Sequence, residues 1–198
     1  LLCAGITTYS PIVNWNIKPG DTVAVLGLGG LGHMGVQIAA AKGADVTVLS
    51  RSLKKAETAK SLGASRTLAT SEEGFFDNHR GEFDFILNTI SADIDVDSYM
   101  RLLKPRGVMA VVGLPPEGQN VHFASLIMGG KVLTGSNIGG LKATQEMLDF
   151  CAEHDLGARI EKIGVQDVDA AYDRVVAGDV QFRFVIDTST FDEVAAEV

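Results

Sequence analysis

Short aliphatic runs alternate with amphipathic segments along the first two thirds of the chain. Six of the runs predict strands, most of them buried on both faces. They are residues 23–26, 46–49, 66–69, 83–87, 108–112 and 131–134. Three intervening segments repeat apolar positions at helical spacing, namely residues 31–42, 53–62 and 98–103. Strands alternating with helices in this way predict an α/β fold, a doubly wound (Rossmann) parallel sheet with helices on both faces.

The pattern changes after residue 138. The elements predicted beyond it are a helix at 142–154, a strand near 159–163, a helix at 167–177 and a strand around 183–186. This order does not continue the alternation of the first part. We therefore divide the chain into a Rossmann domain at residues 1–138 and a C-terminal segment at residues 139–198.

A glycine-rich turn joins the first predicted strand to the first predicted helix. Residues 27–32 have the G-x-G-x-x-G spacing and directly follow a buried strand. In such a turn Gly27 permits the reversal, Gly29 lets a pyrophosphate approach the backbone, and Gly32 lets helix and strand pack closely. Free N–H groups and the positive end of the helix dipole then favour a phosphate. The turn predicts a dinucleotide site, and a tight turn without any ligand is the alternative.

The end of the second predicted strand indicates which dinucleotide is bound. NAD-binding folds carry an acidic residue here that accepts hydrogen bonds from the ribose. Asp45 has about the expected spacing, but it lies at the beginning of the strand, whereas the ribose lies at the end of the strand. The end of the strand carries Ser50, Arg51 and Ser52, and Lys55 follows. A hydroxyl, a guanidinium and an ammonium suit an adenosine 2′-phosphate, which predicts NADP(H); a solvated basic loop is the alternative.

Composition and charge argue against several other classes of protein. The 17 Lys and Arg residues against 25 Asp and Glu residues give a net charge of −8, whereas a general nucleic-acid binder needs a basic face. An uncharged stretch at residues 22–41 could span a bilayer, but its glycines favour a strand, a turn and a helix, so we predict no membrane span. The two cysteines, Cys3 and Cys151, form no disulfide framework, which predicts a cytoplasmic protein. The first residues show neither an initiator Met nor a signal-peptide pattern, and we expect a longer parent protein.

Six motifs are spread along the chain. Their sequences are Leu-Cys-Ala-Gly-Ile-Thr-Thr-Tyr-Ser-Pro at 2–11, Gly-Leu-Gly-Gly-Leu-Gly-His-Met at 27–34, Val-Gly-Leu-Pro at 112–115, Gly-Ser-Asn-Ile-Gly-Gly at 135–140, Thr-Gln-Glu-Met-Leu-Asp-Phe at 144–150 and Phe-Arg-Phe-Val-Ile-Asp at 182–187. In this order they resemble the zinc-dependent medium-chain alcohol dehydrogenases, most closely the cinnamyl-alcohol-dehydrogenase-like branch. The resemblance covers essentially the whole chain.

The resemblance implies roles for individual residues. Cys3 matches a thiolate ligand of the catalytic zinc, Thr7 a residue beside the nicotinamide, and Arg183 a basic residue that can reach the pyrophosphate. The other matched cofactor positions are Leu28, Gly29, Gly30, Leu31, Gly32 and His33 at the pyrophosphate, Ser50, Arg51, Ser52 and Lys55 at the 2′-phosphate, Thr89 and Gly113 beside ribose and nicotinamide, and Ser136, Asn137 and Ile138 over the ring. The segment 139–198 would return to complete a catalytic domain that this chain does not contain.

The resemblance also implies a reaction. Family members transfer a hydride reversibly between NADP(H) and a primary alcohol or aldehyde, with zinc polarising the oxygen. Catalytic zinc needs three protein ligands, of which this chain offers only Cys3. We therefore expect the cofactor-binding portion of such an enzyme, with zinc and a small-molecule aldehyde or alcohol bound by the full-length parent, and with the chain alone binding NADPH without zinc or turnover.

Assembly and two other functions complete the expectations. In the family two cofactor domains join through the edge strand, here residues 131–134, so we expect a homodimer. One alternative function is an NADP-sensing module that has no catalytic half, since fold alone does not fix function. Another is a zinc-free quinone or enoyl reductase of the same superfold, against which the Leu-Cys-Ala-Gly segment argues.

Overall fold

A sheet of six parallel strands forms the centre of the first part of the chain. The computed structural model describes residues 1–191, which divide into two compact units, Leu1–Leu156 and the residues from Gly157 onward. The strands are β1 (Thr22–Leu26), β2 (Asp45–Ser50), β3 (Arg66–Ala69), β4 (Phe83–Asn88), β5 (Leu103–Val111) and β6 (Val132–Gly135). They are parallel and lie in the order β3-β2-β1-β4-β5-β6. This is the strand order of a doubly wound dinucleotide-binding sheet, and it confirms the predicted fold class.

Seven helices accompany this sheet in the first unit. They are α1 (Ala4–Asn14), α2 (Gly32–Ala41), α3 (Ala56–Ser61, preceded by a 3-10 turn at Leu53–Lys55), α4 (Phe75–Asn78), α5 (Val96–Arg101), α6 (Phe123–Ile127) and α7 (Leu141–Glu153). The helices predicted at 31–42 and 142–154 are confirmed within one residue at each end as α2 and α7. The helix predicted at 53–62 begins as the 3-10 turn and becomes α-helical only at Ala56.

Helix α1 was absent from the predicted elements. Its sequence contains several β-branched residues and a proline, Pro11, all of which lower helix propensity. Residues 4–12 are all buried, and the helix packs against both α2 and α7. Tertiary burial therefore stabilises a helix that its own sequence does not favour.

The fifth helix and the fifth strand differ from the prediction. Asp95 accepts a hydrogen bond from the Ser98 backbone at 3.3 Å, so α5 begins at Val96 and not at residue 98. Leu103, predicted as helical, starts β5 and pairs with Phe83. The pairing then shifts register across Lys-Pro-Arg-Gly before it resumes, so a sequence typical of a turn is accommodated as an irregularity inside a strand.

The core strands explain the absence of polar alternation in their sequences. Residues 23–26 of β1 are at most 1% exposed, because β2 and β4 pair with β1 on its two edges and helices cover both faces. In the sheet, β2 lies next to β1 on one side, and β4 lies next to β1 on the other side. The carboxyl ends of β1, β2 and β4 therefore meet at the point where the strand order reverses, which is where ligands bind in such sheets.

The described residues of the second unit, 157–191, include a small parallel sheet and a helix. Strand β7 (Glu161–Ile163) pairs with β8 (Phe184–Ile186), and α8 (Val168–Ala177) lies between them in sequence. The predicted helix at 167–177 is confirmed, and both predicted strands are slightly shorter than expected. The compact units divide after Leu156, because α7 packs on α1, with the Tyr9 and Phe150 rings 5.6 Å apart. The division after residue 138 into a Rossmann domain and a C-terminal segment stays a prediction. In residues 1–191 no helix is long and apolar enough to cross a membrane.

Candidate dinucleotide-binding site

The glycine-rich turn occupies the end of the central strand. Gly27 adopts a φ of +89°, and its backbone N–H donates to the Leu49 carbonyl at 2.9 Å. Helix α2 begins at Gly32, where a Cβ atom would lie 2.1 Å from the Gly27 carbonyl oxygen. Both positions therefore require glycine for reasons internal to the chain.

Gly29 differs from its two neighbours. A Cβ atom at Gly29 would meet nothing within 4 Å, so packing does not explain this glycine. The residue is exposed at the start of α2, where helix N–H groups lack partners within the helix. The turn thus presents bare backbone beside a helix N-terminus, an arrangement that suits a phosphate group.

The other residues of the turn have structural contacts of their own. Leu28 and His33 are buried, whereas Gly30 and Leu31 are partly exposed. The Nδ1 atom of His33 lies 3.2 Å from the Gly29 carbonyl oxygen, and the His33 backbone N–H donates to the same oxygen at 3.0 Å. His33 therefore supports the conformation of the turn from inside α2.

A cleft of about 560 Å³ lies next to the turn. It brings the ends of β1 and β2 together with Ile90 and residues 92–95, which follow β4, and with Tyr99 of α5. Ser50 and Arg51 line this cleft, as the sequence predicts, while Asp45 pairs with Thr22 at the opposite end of β2. The expected position of the ribose-binding acid is therefore filled by a serine and an arginine.

The side chains of Ser50 and Arg51 have no hydrogen-bond or ion-pair partner within residues 1–191. Their backbone is nevertheless well held, since Thr70 N–H donates to the Ser50 carbonyl and the Ser71 hydroxyl donates to the Arg51 carbonyl, both at 2.8 Å. The hydroxyl and the guanidinium can therefore bind a ligand without first breaking a contact in the protein.

Ser52 and Lys55 lie further along the same loop. Ser52 is exposed, precedes the 3-10 turn and does not line the cleft. The Nζ atom of Lys55 donates to the Leu28 carbonyl at 3.5 Å. Lys55 thus bridges the basic loop to the glycine-rich turn.

Sequence reasoning missed the residues that line the other parts of the cleft. Thr70 follows β3, Asp93 and Asp95 follow β4, and Tyr99 belongs to α5. Tyr99 is 7% exposed, and burial raises the pKa of its phenol, against the opposing effect of a hydrogen bond with Thr70. The available signal was positional, because residues just beyond the carboxyl ends of neighbouring parallel strands share one crevice.

The predicted nicotinamide-side residues lie beyond β4, β5 and β6. The Thr89 hydroxyl donates to the Leu26 carbonyl at 2.8 Å, which joins the ends of β4 and β1. Gly113 is packed so tightly on the segment after β4 that a Cβ atom would lie 2.1 Å from the Ile90 carbonyl oxygen. Backbone pairing from Ser136 N–H to the Val111 carbonyl, at 3.0 Å, continues β6 into the predicted segment at 136–138.

Thr7 and the segment after β6 belong to the same region of the first unit. Thr7 is buried in α1. A Cβ atom at Gly139 would lie 2.8 Å from the Ser10 hydroxyl and 2.9 Å from Ile6, so the backbone just after Ile138 packs directly on α1. Arg183 is part of the second unit, where its carbonyl accepts from Glu161 N–H at 2.8 Å.

The metal-ligand prediction concerns Cys3. This thiol is exposed and precedes the first turn of α1, with the Cys3 carbonyl accepting from Thr7 N–H at 3.0 Å. Across residues 1–191, no three His, Cys, Asp or Glu side chains are grouped so that they could hold a metal. A single thiolate does not complete a tetrahedral zinc site, so the described residues do not fit zinc by themselves. Cys151 is buried, and burial raises the pKa of its thiol.

The strand order and the glycine-rich turn at the reversal point define a Rossmann-type dinucleotide-binding protein. Residues 30–153 match the zinc-binding dehydrogenase family, and the chain belongs to this family, which confirms the resemblance seen in the sequence.

Individual relatives are closely similar over nearly all of this chain. It is 55% identical over 190 residues to NADP-dependent alcohol dehydrogenase C 1 of Mycolicibacterium smegmatis, and the matched region covers 96% of this chain and 54% of the relative. It is 46% identical over 194 residues to the aldehyde reductase YahK of Escherichia coli, with 98% and 56% covered. The crystal structure of CAD from Helicobacter pylori complexed with NADP(H) matches with a TM-score of 0.86 and 40% identity, over 96% of this chain and 54% of that one. The chain thus spans about half the length of the curated relatives it matches.

Proposed function

We propose that this chain is the NADP(H)-binding portion of an alcohol dehydrogenase or aldehyde reductase. The whole protein would transfer a hydride between NADP(H) and a primary alcohol or aldehyde. The observation that carries the proposal is the pair of unpartnered polar side chains, Ser50 and Arg51, at the end of β2 beside a cleft. The relatives named NADP-dependent alcohol dehydrogenase and aldehyde reductase support it.

The chain offers one set of groups for each part of the dinucleotide. Gly29 and the start of α2 would receive the pyrophosphate, since the backbone there is uncovered and the helix dipole is positive. The Ser50 hydroxyl, the Arg51 guanidinium and the Lys55 ammonium would hold the 2′-phosphate by charge-assisted hydrogen bonds. On the resemblance alone, Ser52 would contact the 2′-phosphate and Arg183 the pyrophosphate.

The remaining predicted residues would orient the nicotinamide, which supplies the hydride when it is bound. Thr89 holds the ends of β1 and β4 together, and Gly113 keeps the backbone after β5 close to the backbone after β4. Thr7 and residues 136–138 would close over the ring, which the packing of Gly139 on α1 supports. These residues position the ring against the substrate and exclude water from it.

Cys3 would be one ligand of a catalytic zinc in the full-length parent, with the other ligands on a segment outside this chain. Its exposure supports this role, because a ligand shared with another segment must be accessible. Zinc would polarise the alcohol or aldehyde oxygen. The segment from residue 139 onward would then contribute to the catalytic domain.

The two free cysteines, Cys3 and Cys151, favour a cytoplasmic location for the protein.

Calorimetric titration of the chain with NADPH and NADH tests the proposal. We expect NADPH to bind at least ~10-fold more tightly, since each charge-assisted hydrogen bond contributes about 1.5–3 kcal/mol. Arg51→Ala should remove most of this preference, and Ser50→Asp should reverse it by repelling the 2′-phosphate.

Lys54→Ala provides the matched control. It removes the same charge from the same exposed loop, but Lys54 does not line the cleft. We expect the preference for NADPH to remain within about twofold of the wild-type value, as a distant exposed charge contributes little. Equal affinity of the wild-type chain for the two dinucleotides would contradict the proposal.

A further inference from the structure

One wall of the adenosine cleft, which is the cleft of about 560 Å³ lined by Ser50 and Arg51, is a segment with few backbone hydrogen bonds. Residues 91–94 belong to no helix or strand, and Ala92, Asp93 and Ile94 all line the cleft. The neighbouring residues are held locally, with Ile90 N–H donating to the Asn88 side chain at 3.0 Å and Asp95 accepting from Ser98. Within the described part of the chain, every hydrogen bond of residues 91–94 is made with Gln119.

Gln119 makes two hydrogen bonds to this wall. Its Nε2 donates to Asp93 Oδ1 at 2.8 Å, and its Oε1 accepts from the Ile94 backbone N–H at 3.1 Å. The side chain amide thus binds one side chain and one backbone group of adjacent residues. A single glutamine fixes both the backbone position of the wall and the carboxylate that it carries.

The loop that carries Gln119 is itself anchored at both ends. Gly113 N–H donates to the Asn88 carbonyl at 3.2 Å where the loop leaves β5. His122 N–H donates to Asp97 Oδ1 at 3.2 Å, and the His122 ring contacts the same carboxylate at 2.6 Å. Gln119 therefore reaches the wall from a point fixed on both sides.

Gln119 does not line the adenosine cleft. It lines a second cavity of about 200 Å³, which shares Ile90, Ala92 and Ile94 with the cleft. The two spaces are thus separated by the same few residues, and Gln119 holds those residues from behind. Its effect on a nucleotide must pass through Asp93 and Ile94.

We propose that Gln119 is a positioning residue for adenosine binding, which pre-organises residues 91–94 opposite Ser50 and Arg51. The inference rests on the proposed binding of NADP(H) in this cleft. Ile94 also packs against the hydrophobic core, so we expect loss of the glutamine contacts to loosen residues 91–94 while the domain stays folded. A wall ordered before binding raises affinity, because the ligand does not have to order it.

Gln119→Glu tests the inference with AMP and adenosine 2′,5′-bisphosphate as probes, which differ only in the 2′-phosphate and are titrated into the chain by calorimetry at about pH 8. The glutamate keeps an acceptor for Ile94 but cannot donate to Asp93, and it repels that carboxylate. We expect both affinities to fall about tenfold. The ratio of the two affinities should stay unchanged, because Ser50 and Arg51 on the opposite side recognise the 2′-phosphate. Gln119→Met removes both hydrogen bonds without adding charge, and it should lower the affinity for both probes as well.

A swapped pair and a matched control separate this role from a general loss of stability. Combining Gln119→Glu with Asp93→Asn restores a hydrogen bond with its direction reversed, and both affinities should return to within about threefold of those of Asp93→Asn alone. Gln145→Glu breaks a bond of the same kind on α7, where Gln145 Nε2 donates to Asp149 at 2.7 Å. It should change neither affinity by more than about twofold.

The outcomes distinguish this inference from the proposed function. If Gln119→Glu and Gln119→Met leave both affinities within about twofold of wild type, the positioning role is wrong even where the 2′-phosphate preference is present. If the wild-type chain binds both probes equally but Gln119→Glu weakens both, the positioning role is supported and the preference for NADP(H) is wrong. Failure of the wild-type chain to bind either probe would overturn both.

Discussion

Two glycines of the same turn should respond in opposite ways to the same substitution. At Gly32 an added Cβ would lie 2.1 Å from the Gly27 carbonyl oxygen and 3.2 Å from the Thr89 hydroxyl. At Gly29 an added Cβ would meet nothing within 4 Å, and Gly29 does not need a positive φ. Gly32→Ala should therefore lower stability, whereas Gly29→Ala should leave stability intact and impair dinucleotide binding.

The magnitude follows from the distances. Contacts of a Cβ below 3.0 Å essentially do not occur, so Gly32→Ala must separate two backbone segments by roughly 1 Å or deform them. Overpacking of a rigid site costs about 3 kcal/mol, which corresponds to a fall of roughly 6–12 °C in the thermal midpoint of a domain of this size. Gly29→Ala should change stability by less than about 1 kcal/mol. The methyl group would occupy the space of a pyrophosphate oxygen and lower NADPH affinity by at least ~10-fold.

Differential scanning calorimetry and NADPH titration of both variants provide the assay. Gly140→Ala is the control, since a Cβ there also meets nothing within 4 Å and the backbone φ is −74°. It should change neither stability nor binding beyond about 1 kcal/mol. Wild-type stability of Gly32→Ala would refute the packing argument, and wild-type NADPH affinity of Gly29→Ala would refute the placement of the pyrophosphate.

Three further predictions concern pH, assembly and zinc. Hydrogen bonding to Asp97 raises the pKa of His122 above its usual value of 6.5. The stabilisation by this pair is therefore complete below pH 6.5 and is lost as pH rises through the raised pKa. The difference in thermal midpoint between wild type and His122→Gln should shrink as pH is raised above 6.5, and a constant difference would contradict the pairing. Within residues 1–191 strand β6 pairs only with β5, and we expect this chain to form a homodimer through the other edge of β6. Light scattering at micromolar concentration that showed only monomer would count against this prediction. The chain alone should carry no stoichiometric zinc and should reduce no aldehyde, because one thiolate does not complete a zinc site. In the full-length parent, Cys3→Ser should lower zinc content and activity and keep NADPH affinity within about twofold of wild type. One zinc per isolated chain together with turnover would show that the ligands are misassigned.

The parallel sheet could be predicted from the sequence because its central strands β1, β2 and β4 are largely buried. Strands covered on both faces appear as continuous apolar runs. All six predicted strands lie in the sheet, including the less buried β3 and β6 at its edges. The glycine spacing was informative for a similar reason, since only a strand, a tight turn and a helix in succession require Gly27 and Gly32 together. These are local constraints, which a sequence records directly.

Elements whose stability comes from tertiary contacts were predicted less well. Helix α1 contains Pro11 and several β-branched residues, and it is helical because α2 and α7 bury it. The start of β5 looks like a turn, but pairing of Leu103 with Phe83 draws it into the sheet. Local propensity opposes the observed structure in both segments, and packing outweighs it.

The sequence alone determined one side of the candidate site, and the tertiary structure decided the other. Ser50 and Arg51 lie at the end of a recognisable strand, so their place beside the cleft could be inferred from order along the chain. The opposite wall depends on Gln119 and Asp93, which are 26 positions apart and share no motif. They meet because the loops after β4 and β5 leave neighbouring strands at the same edge of a parallel sheet. Contacts between such loops depend on how each chain segment crosses the sheet edge, and only the folded structure specifies that path.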